Sequence, residues 1–160
     1  TDRSLENLFP LKWCKLIAVQ MNVCFDIYFE HSTIKFTGAM NDQDITVFGH
    51  GKQTRAYCNI DDAVGMIKNI CLKGKHFVYN VGKMDEEITA IKLAERVLKT
   101  IPNSKSKLIQ IDYPNEYPKD EPMRRCPNID KYYEEFKQKP SIGIDEGLYN
   151  FYQYAKKNWL

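Results

Sequence analysis

Short β-branched runs alternate with amphipathic helical patterns along this chain, and that alternation limits its fold more than any other feature. Ile45-Thr46-Val47-Phe48 reads as a strand stopped by Gly49 and Gly51. Arg55 to Ile60, His76 to Val81 (closed by Gly82), Lys107 to Ile111 and Lys15 to Val19 read the same way. Asp61-Asp62 opens a helix, since carboxylates cap free N–H groups and suit the positive end of the helix dipole. Ala63, Val64, Ile67, Ile70 and Cys71 keep helical spacing along it. In the clearest helix, Ile88, Ile91, Ala94, Val97, Leu98 and Ile101 share a face. Glu87, Lys92, Glu95, Arg96 and Lys99 are turned to water, and Pro102-Asn103-Ser104 ends the helix. A short helix is expected over Thr33–Met40, stopped by the turn Asn41-Asp42-Gln43-Asp44. Two more are expected near Ile129–Phe136 and Asp145–Lys156, parted by Pro140-Ser141-Ile142-Gly143. Such a sequence predicts an α/β or mixed α+β layered structure. Its strands are too few and short for a self-sufficient doubly wound sheet, so some are expected to join a sheet not wholly contained in the chain.

The 160 residues suit one domain or a large piece of one, and 43% hydrophobic residues supply a core. A net charge of +2 without a basic stripe argues against nucleic acid as a partner. No run approaches the roughly 18 apolar residues of a membrane span. The polar start, Thr1-Asp2-Arg3-Ser4-Leu5-Glu6, lacks the apolar core of a signal peptide, and a first residue other than Met suits a processed product or a piece. Cys14, Cys24, Cys58, Cys71 and Cys126 form no Cys-x-x-Cys pair. Buried free thiols, Cys71 among them, in a reducing cytoplasmic setting are expected. His31, His50 and His76 are isolated, which gives a metal site no local support.

Two basic clusters lie in turn-rich sequence: Gly49-His50-Gly51-Lys52-Gln53-Thr54-Arg55 and Asp120-Glu121-Pro122-Met123-Arg124-Arg125-Cys126-Pro127. Glycines permit close backbone approach, and a guanidinium fork matches phosphate oxygens. Taken singly, Arg55 also suits a surface arginine after a hairpin, and Arg124-Arg125 suit solvated ion pairs with Glu116, Asp120 or Glu121. The second cluster lies in a long polar loop, Tyr113 to Pro127, of a length uncommon unless the loop has a function. Tyr133-x-x-x-Lys137 and Tyr152-x-x-x-Lys156 have the spacing of a dehydrogenase acid–base pair, but both fall on amphipathic C-terminal helices and read as structural. No Gly-x-x-Gly-x-x-Gly loop follows a strand, so a dinucleotide site has no anchor.

Taken together, the segments Ile45 to Asp62, Tyr79-Asn80-Val81-Gly82 with Leu93-Ala94-Glu95, Asp120 to Lys131, and Lys139-Pro140 with Ile144-Asp145-Glu146-Gly147-Leu148 resemble the extended short-chain dehydrogenase/reductases that act on nucleotide sugars. The similarity is to the UDP-glucuronate decarboxylase and dTDP-glucose dehydratase-like branch, in order from about Thr33 to Leu160. It implies the C-terminal, substrate-binding part of a Rossmann-type α/β fold. Residues 1–30 would be a remnant of the last Rossmann helix and strand, and 31–160 the nucleotide-sugar-binding region. Arg55 would hold the diphosphate of a UDP- or dTDP-sugar, with Arg125 or its neighbour Arg124 acting from the opposite loop. Phe48 would lie against the pyrimidine.

Asn22 resembles the asparagine that touches the phosphate in this family, although Val19 and Cys24-Phe25-Asp26 replace the flanking arginine and Tyr-Gly-Pro. Laid over the helix carrying the catalytic Tyr-x-x-x-Lys, Arg3 and Glu6 fit and Asp2 takes the lysine position. The resemblance implies NAD for the complete enzyme and none for this chain, which lacks the dinucleotide loop and the acid–base pair. The reading is a nucleotide-sugar-binding half of an epimerase, dehydratase or decarboxylase, inactive alone, as a homo-oligomer or paired with a missing N-terminal half. The alternative is a degenerate, non-catalytic binding protein derived from the same fold.

Overall fold

The computed structural model describes residues 36–115 and 122–158. The expected strand at Lys15–Val19, the positions Asn22, Cys14 and Cys24, and the overlay on residues 1–8 lie outside them. The elements in chain order are α1 (Phe36–Met40), β1 (Ile45–Phe48), β2 (Thr54–Ala56), α2 (Ile60–Lys73), β3 (Glu87–Thr89), α3 (Ala90–Thr100), β4 (Leu108–Ile111), β5 (Arg124–Arg125), α4 (Asp130–Phe136) and α5 (Ile144–Asn158). β1 and β4 pair in parallel, with Phe48 opposite Ile111. A second sheet has the order β3-β2-β5, antiparallel on one side of β2 and parallel on the other.

Two apolar clusters hold these layers together. Ile45 and Val47 of β1 pack with Leu93, Ala94 and Val97 of α3 and with Ile144 and Leu148 of α5. Phe36 closes that core from α1, its ring edge-on to Phe151 at 4.9 Å. The second cluster joins Ala63, Met66 and Ile70 of α2 to Tyr79, Val81, Ile129 and Tyr132. Burial and the nearby Asp62 push the Cys58 thiol up to about 12, so it remains a neutral thiol within this core. Next to the buried face of α2, its Ile60 and Val64 are exposed.

Four expectations are corrected. His76–Val81 pairs with no strand among the described residues, although Tyr79 and Val81 are buried while Phe77 is 72% exposed. There the Tyr79 hydroxyl accepts hydrogen bonds from the N–H groups of Lys75 (2.8 Å) and His76 (3.0 Å) and donates to Glu135. The strand expected over Arg55–Ile60 ends at Ala56, because Asn59 caps α2 by accepting from the Asp61 N–H at 2.9 Å. Asp62, expected to cap its own helix, instead accepts from the N–H groups of Ser141 (3.0 Å) and Ile142 (2.9 Å), tying α2 to the segment before α5. Cys71 is exposed, on the side of α2 away from the core.

The start of α3 also differs. Glu87–Thr89 is a strand, and Thr89 caps the helix by accepting from the Lys92 N–H. Ile88 is buried in the α3 core all the same. Arg96, expected to face water, pairs with Glu86 at 3.3 Å and Asp145 at 3.4 Å. Glu86 also accepts from the Ile144 N–H at the start of α5 (3.0 Å) and lies 3.7 Å from the buried Lys83 amine.

Candidate functional site

The Gly49–Gln53 turn joins the two sheets and carries the first basic cluster into β2. Gly49 and Gly51 hold φ of 58° and 60°, the left-handed region that favours glycine. A Cβ on Gly49 would run into the Tyr113 ring. Phe48 ends β1 and meets Tyr113 with ring centroids 6.1 Å apart, so two aromatic rings stand at the carboxyl ends of the parallel strands β1 and β4. Gln53 is buried, and its Oε1 has no hydrogen-bond partner among the described residues.

Arg55 and Arg125 are Cα partners in the parallel pairing of β2 with β5. Neighbouring strands lie about 4.8 Å apart, and residues on one rung send their side chains to one face. Arg55 and Arg125, expected on opposite loops, therefore stand side by side on one sheet. Both are half-buried. The Arg55 guanidinium donates to the Thr54 carbonyl at 2.8 Å.

Arg124 and Arg125 are separated by the pleat. Arg124 shares a rung with Thr54 and is bound to Glu87: its Nε and Nη2 donate to Glu87 Oε2 at 3.0 and 2.8 Å. The Thr54 hydroxyl donates to the other carboxylate oxygen. These contacts, Thr54 first and Arg124 second, hold the Glu87 carboxyl below the usual glutamate range, and Glu87 in turn raises Arg124. Among the described residues, Arg124 thus pairs with one distant in sequence; Glu116, Asp120 and Glu121 lie outside them. Burial, assisted by Glu87, pushes the Cys126 thiol up as well.

The sequence placed Gln53 and Thr54 in the first basic cluster and Tyr113 at the start of the long loop without giving them a role, and it did not point to Glu87 as a member of this region. Glu87 gave the signal of a solvent-facing helix residue, and only the strand pairing reveals its partners. A Gly-x-Gly turn follows β1, but the chain then enters a strand, so no helix N-terminus meets a pyrophosphate there. Among the described residues no group of three or more His, Cys, Asp or Glu could hold a metal, and no helix is long and apolar enough to cross a membrane.

No family model matches the chain. Known proteins do. UDP-glucuronic acid decarboxylase 4 of Arabidopsis thaliana is 34% identical over 113 residues, covering 69% of this chain and 24% of that protein. UDP-N-acetyl-alpha-D-glucosaminuronate decarboxylase of Bacillus cytotoxicus is 27% identical over 122 residues, covering 74% and 37%. The crystal structure of dTDP-glucose 4,6-dehydratase from Bacillus anthracis in complex with NAD superposes with a TM-score of 0.68 at 22% identity, covering 80% of this chain and 40% of that one. UDP-glucuronic acid 4-epimerase from Bacillus cereus, in complex with UDP-glucuronic acid and NAD, gives 0.64 at 21% identity, covering 81% and 41%.

The fold is that of Rossmann-type epimerases and dehydratases, over part of their length. The chain belongs to the extended short-chain dehydrogenase/reductase family of nucleotide-sugar epimerases, dehydratases and decarboxylases. It spans between 24% and 41% of the proteins just named.

Proposed function

We propose that this chain is the nucleotide-sugar-binding part of an NAD-dependent epimerase, dehydratase or decarboxylase, with residues 31–160 forming that region and 1–30 the end of the Rossmann unit. The observation that carries the reading is the Arg55–Arg125 rung, which offers two guanidinium forks to one diphosphate. Phe48 supplies an apolar ring for a pyrimidine at the other end of the same turn. Arg124 is the lesser candidate because it stands one position off the Arg55 rung, across the pleat. Relatives that act on UDP-glucuronate, and a structural neighbour in complex with UDP-glucuronic acid, support a UDP-sugar as the ligand class.

Neighbours in complex with NAD support NAD as the cofactor of the complete protein, where it supplies hydride chemistry. In this reading the described residues bind and orient the sugar nucleotide, and the chain alone does not turn it over. The exposed Ile60 and Val64 beside the buried face of α2 support pairing with a further body of protein, the N-terminal half of a longer relative. Thiols at Cys58, Cys71 and Cys126 suit the cytoplasm.

Calorimetric titration of the chain with UDP tests the proposal. Binding is expected, and Arg55→Ala should weaken it by about 1.5–3 kcal/mol, the worth of a hydrogen bond to a charged group. No heat with the intact chain, or no change on the substitution, would overturn it.

A further inference from the structure

We propose that Glu87 is a positioning residue that locks the register of β5 and so sets Arg125, rather than Arg124, beside Arg55. This inference rests on the reading of the Arg55–Arg125 rung as the diphosphate clamp.

β5 is two residues long, too short to fix its own place by ladder hydrogen bonds. Its backbone support includes the Thr54 N–H donating to the Met123 carbonyl at 2.8 Å. Because side chains alternate across a strand, a slip of one residue would exchange the two arginines between faces. Glu87 opposes that slip. It sits on β3, accepts from the Thr54 hydroxyl of β2, and accepts two N–H groups of Arg124 on β5. One carboxylate thus links all three strands in the order β3-β2-β5. Charge-assisted bonds to Nε and Nη2 are directional as well as strong, so they fix the face that Arg124 occupies. With Arg124 held on the Glu87 face, the pleat delivers Arg125 to the face of Arg55.

The test is UDP affinity of the whole 160-residue chain by calorimetry, in E87Q, R124M, R124K, R125A and the double variant E87Q/R125A. E87Q and R124M are each expected to weaken UDP by about tenfold, within the range of couplings between contacting residues. R124K, which keeps a donor and a charge, should restore most of the affinity lost in R124M. In the R125A background E87Q should change affinity by less than about twofold, because the residue it positions is gone. Arg124 is largely exposed, so R124M tests the tie even if E87Q unfolds the chain. R125A weakening UDP while E87Q and R124M leave it unchanged would overturn the inference and spare the clamp. So would an E87Q effect equally large in both backgrounds, which would mark a general loosening. R125A leaving UDP affinity unchanged would overturn the clamp itself.

Discussion

Arg55 on β2 and Arg125 on β5 share one rung of a parallel ladder, although seventy positions of sequence separate them. In the proposed clamp one diphosphate would meet both guanidinium groups. Removing either arginine should weaken UDP by about 1.5–3 kcal/mol. The double substitution R55A/R125A should lose less than the sum, by about 0.5 kcal/mol or more, since each arginine would help hold the diphosphate against the other. Titration calorimetry of the four proteins closes this cycle, and strict additivity would show that the two contacts are not coupled.

Glu87 ties stability to acid. Its folded pKa lies below the ordinary 4.5, held there by Thr54 and Arg124. A depressed carboxyl contributes stability that is fully present above the unfolded value and is lost as pH falls through the folded one. Urea midpoints of the wild-type chain should therefore fall as pH drops below about 4.5, and E87Q should show a shallower fall over the same window. Parallel curves for the two proteins would show that Glu87 makes no net contribution to this dependence.

The elements set by local pattern were legible in the sequence, and those set by pairing were not. β1 and β4 sit where β-branched residues and the following glycines or polar turn put them, and the C-terminal helices follow their apolar spacing. Glu87–Thr89 carried an apolar spacing that a helix and a strand fill alike, because Ile88 is buried in either. Only β2 lying beside it makes it a strand. Arg124-Arg125 became a strand for the same non-local reason. At His76–Val81 Tyr79 and Val81 are buried as residues of a strand would be, but an apolar run does not establish a ladder. The arginines were legible as two basic clusters in turn-rich sequence, whereas their shared rung and the Glu87 contacts needed the sheet order.

Tyr79 is a buried ring with a polar tip that does three tasks. Its hydroxyl accepts from two backbone N–H groups just past the end of α2 and donates to Glu135 of α4. Y79F removes that acceptor and should destabilise the chain by about 1–3 kcal/mol through N–H groups left without it. The ring's burial, and next its bond to Glu135, raise the hydroxyl above its ordinary 10.0. A raised acid contributes stability that is present below the unfolded value and is lost as pH rises through the folded one. Stability measured above pH 10 should therefore decline less in Y79F than in wild type. A Y79F chain of wild-type stability would show that Glu135, which also accepts from the Lys75 N–H at 3.0 Å, holds this loop without it.

Gly49 and Gly51 share a backbone conformation yet should respond differently to alanine. An added Cβ at Gly51 would lie 2.8 Å from Val47 Cγ1 and 2.9 Å from Ile91 Cβ, with the Ile91 nitrogen at 3.2 Å. Those atoms belong to a core strand and a helix, which cannot retreat without opening the packing. At Gly49 the added atom would meet the Tyr113 ring, which is 41% exposed and can swing outward. Both substitutions carry the left-handed penalty of about 1–2 kcal/mol. G51A should add overpacking of about 1–3 kcal/mol to it. Chemical denaturation should thus rank G51A well below G49A in stability. UDP titration should rank them the other way among folded molecules, because G49A displaces the ring beside Phe48 while G51A disturbs the core beneath it. Equal losses of stability would mean that Tyr113 is as firmly held as Val47 and Ile91.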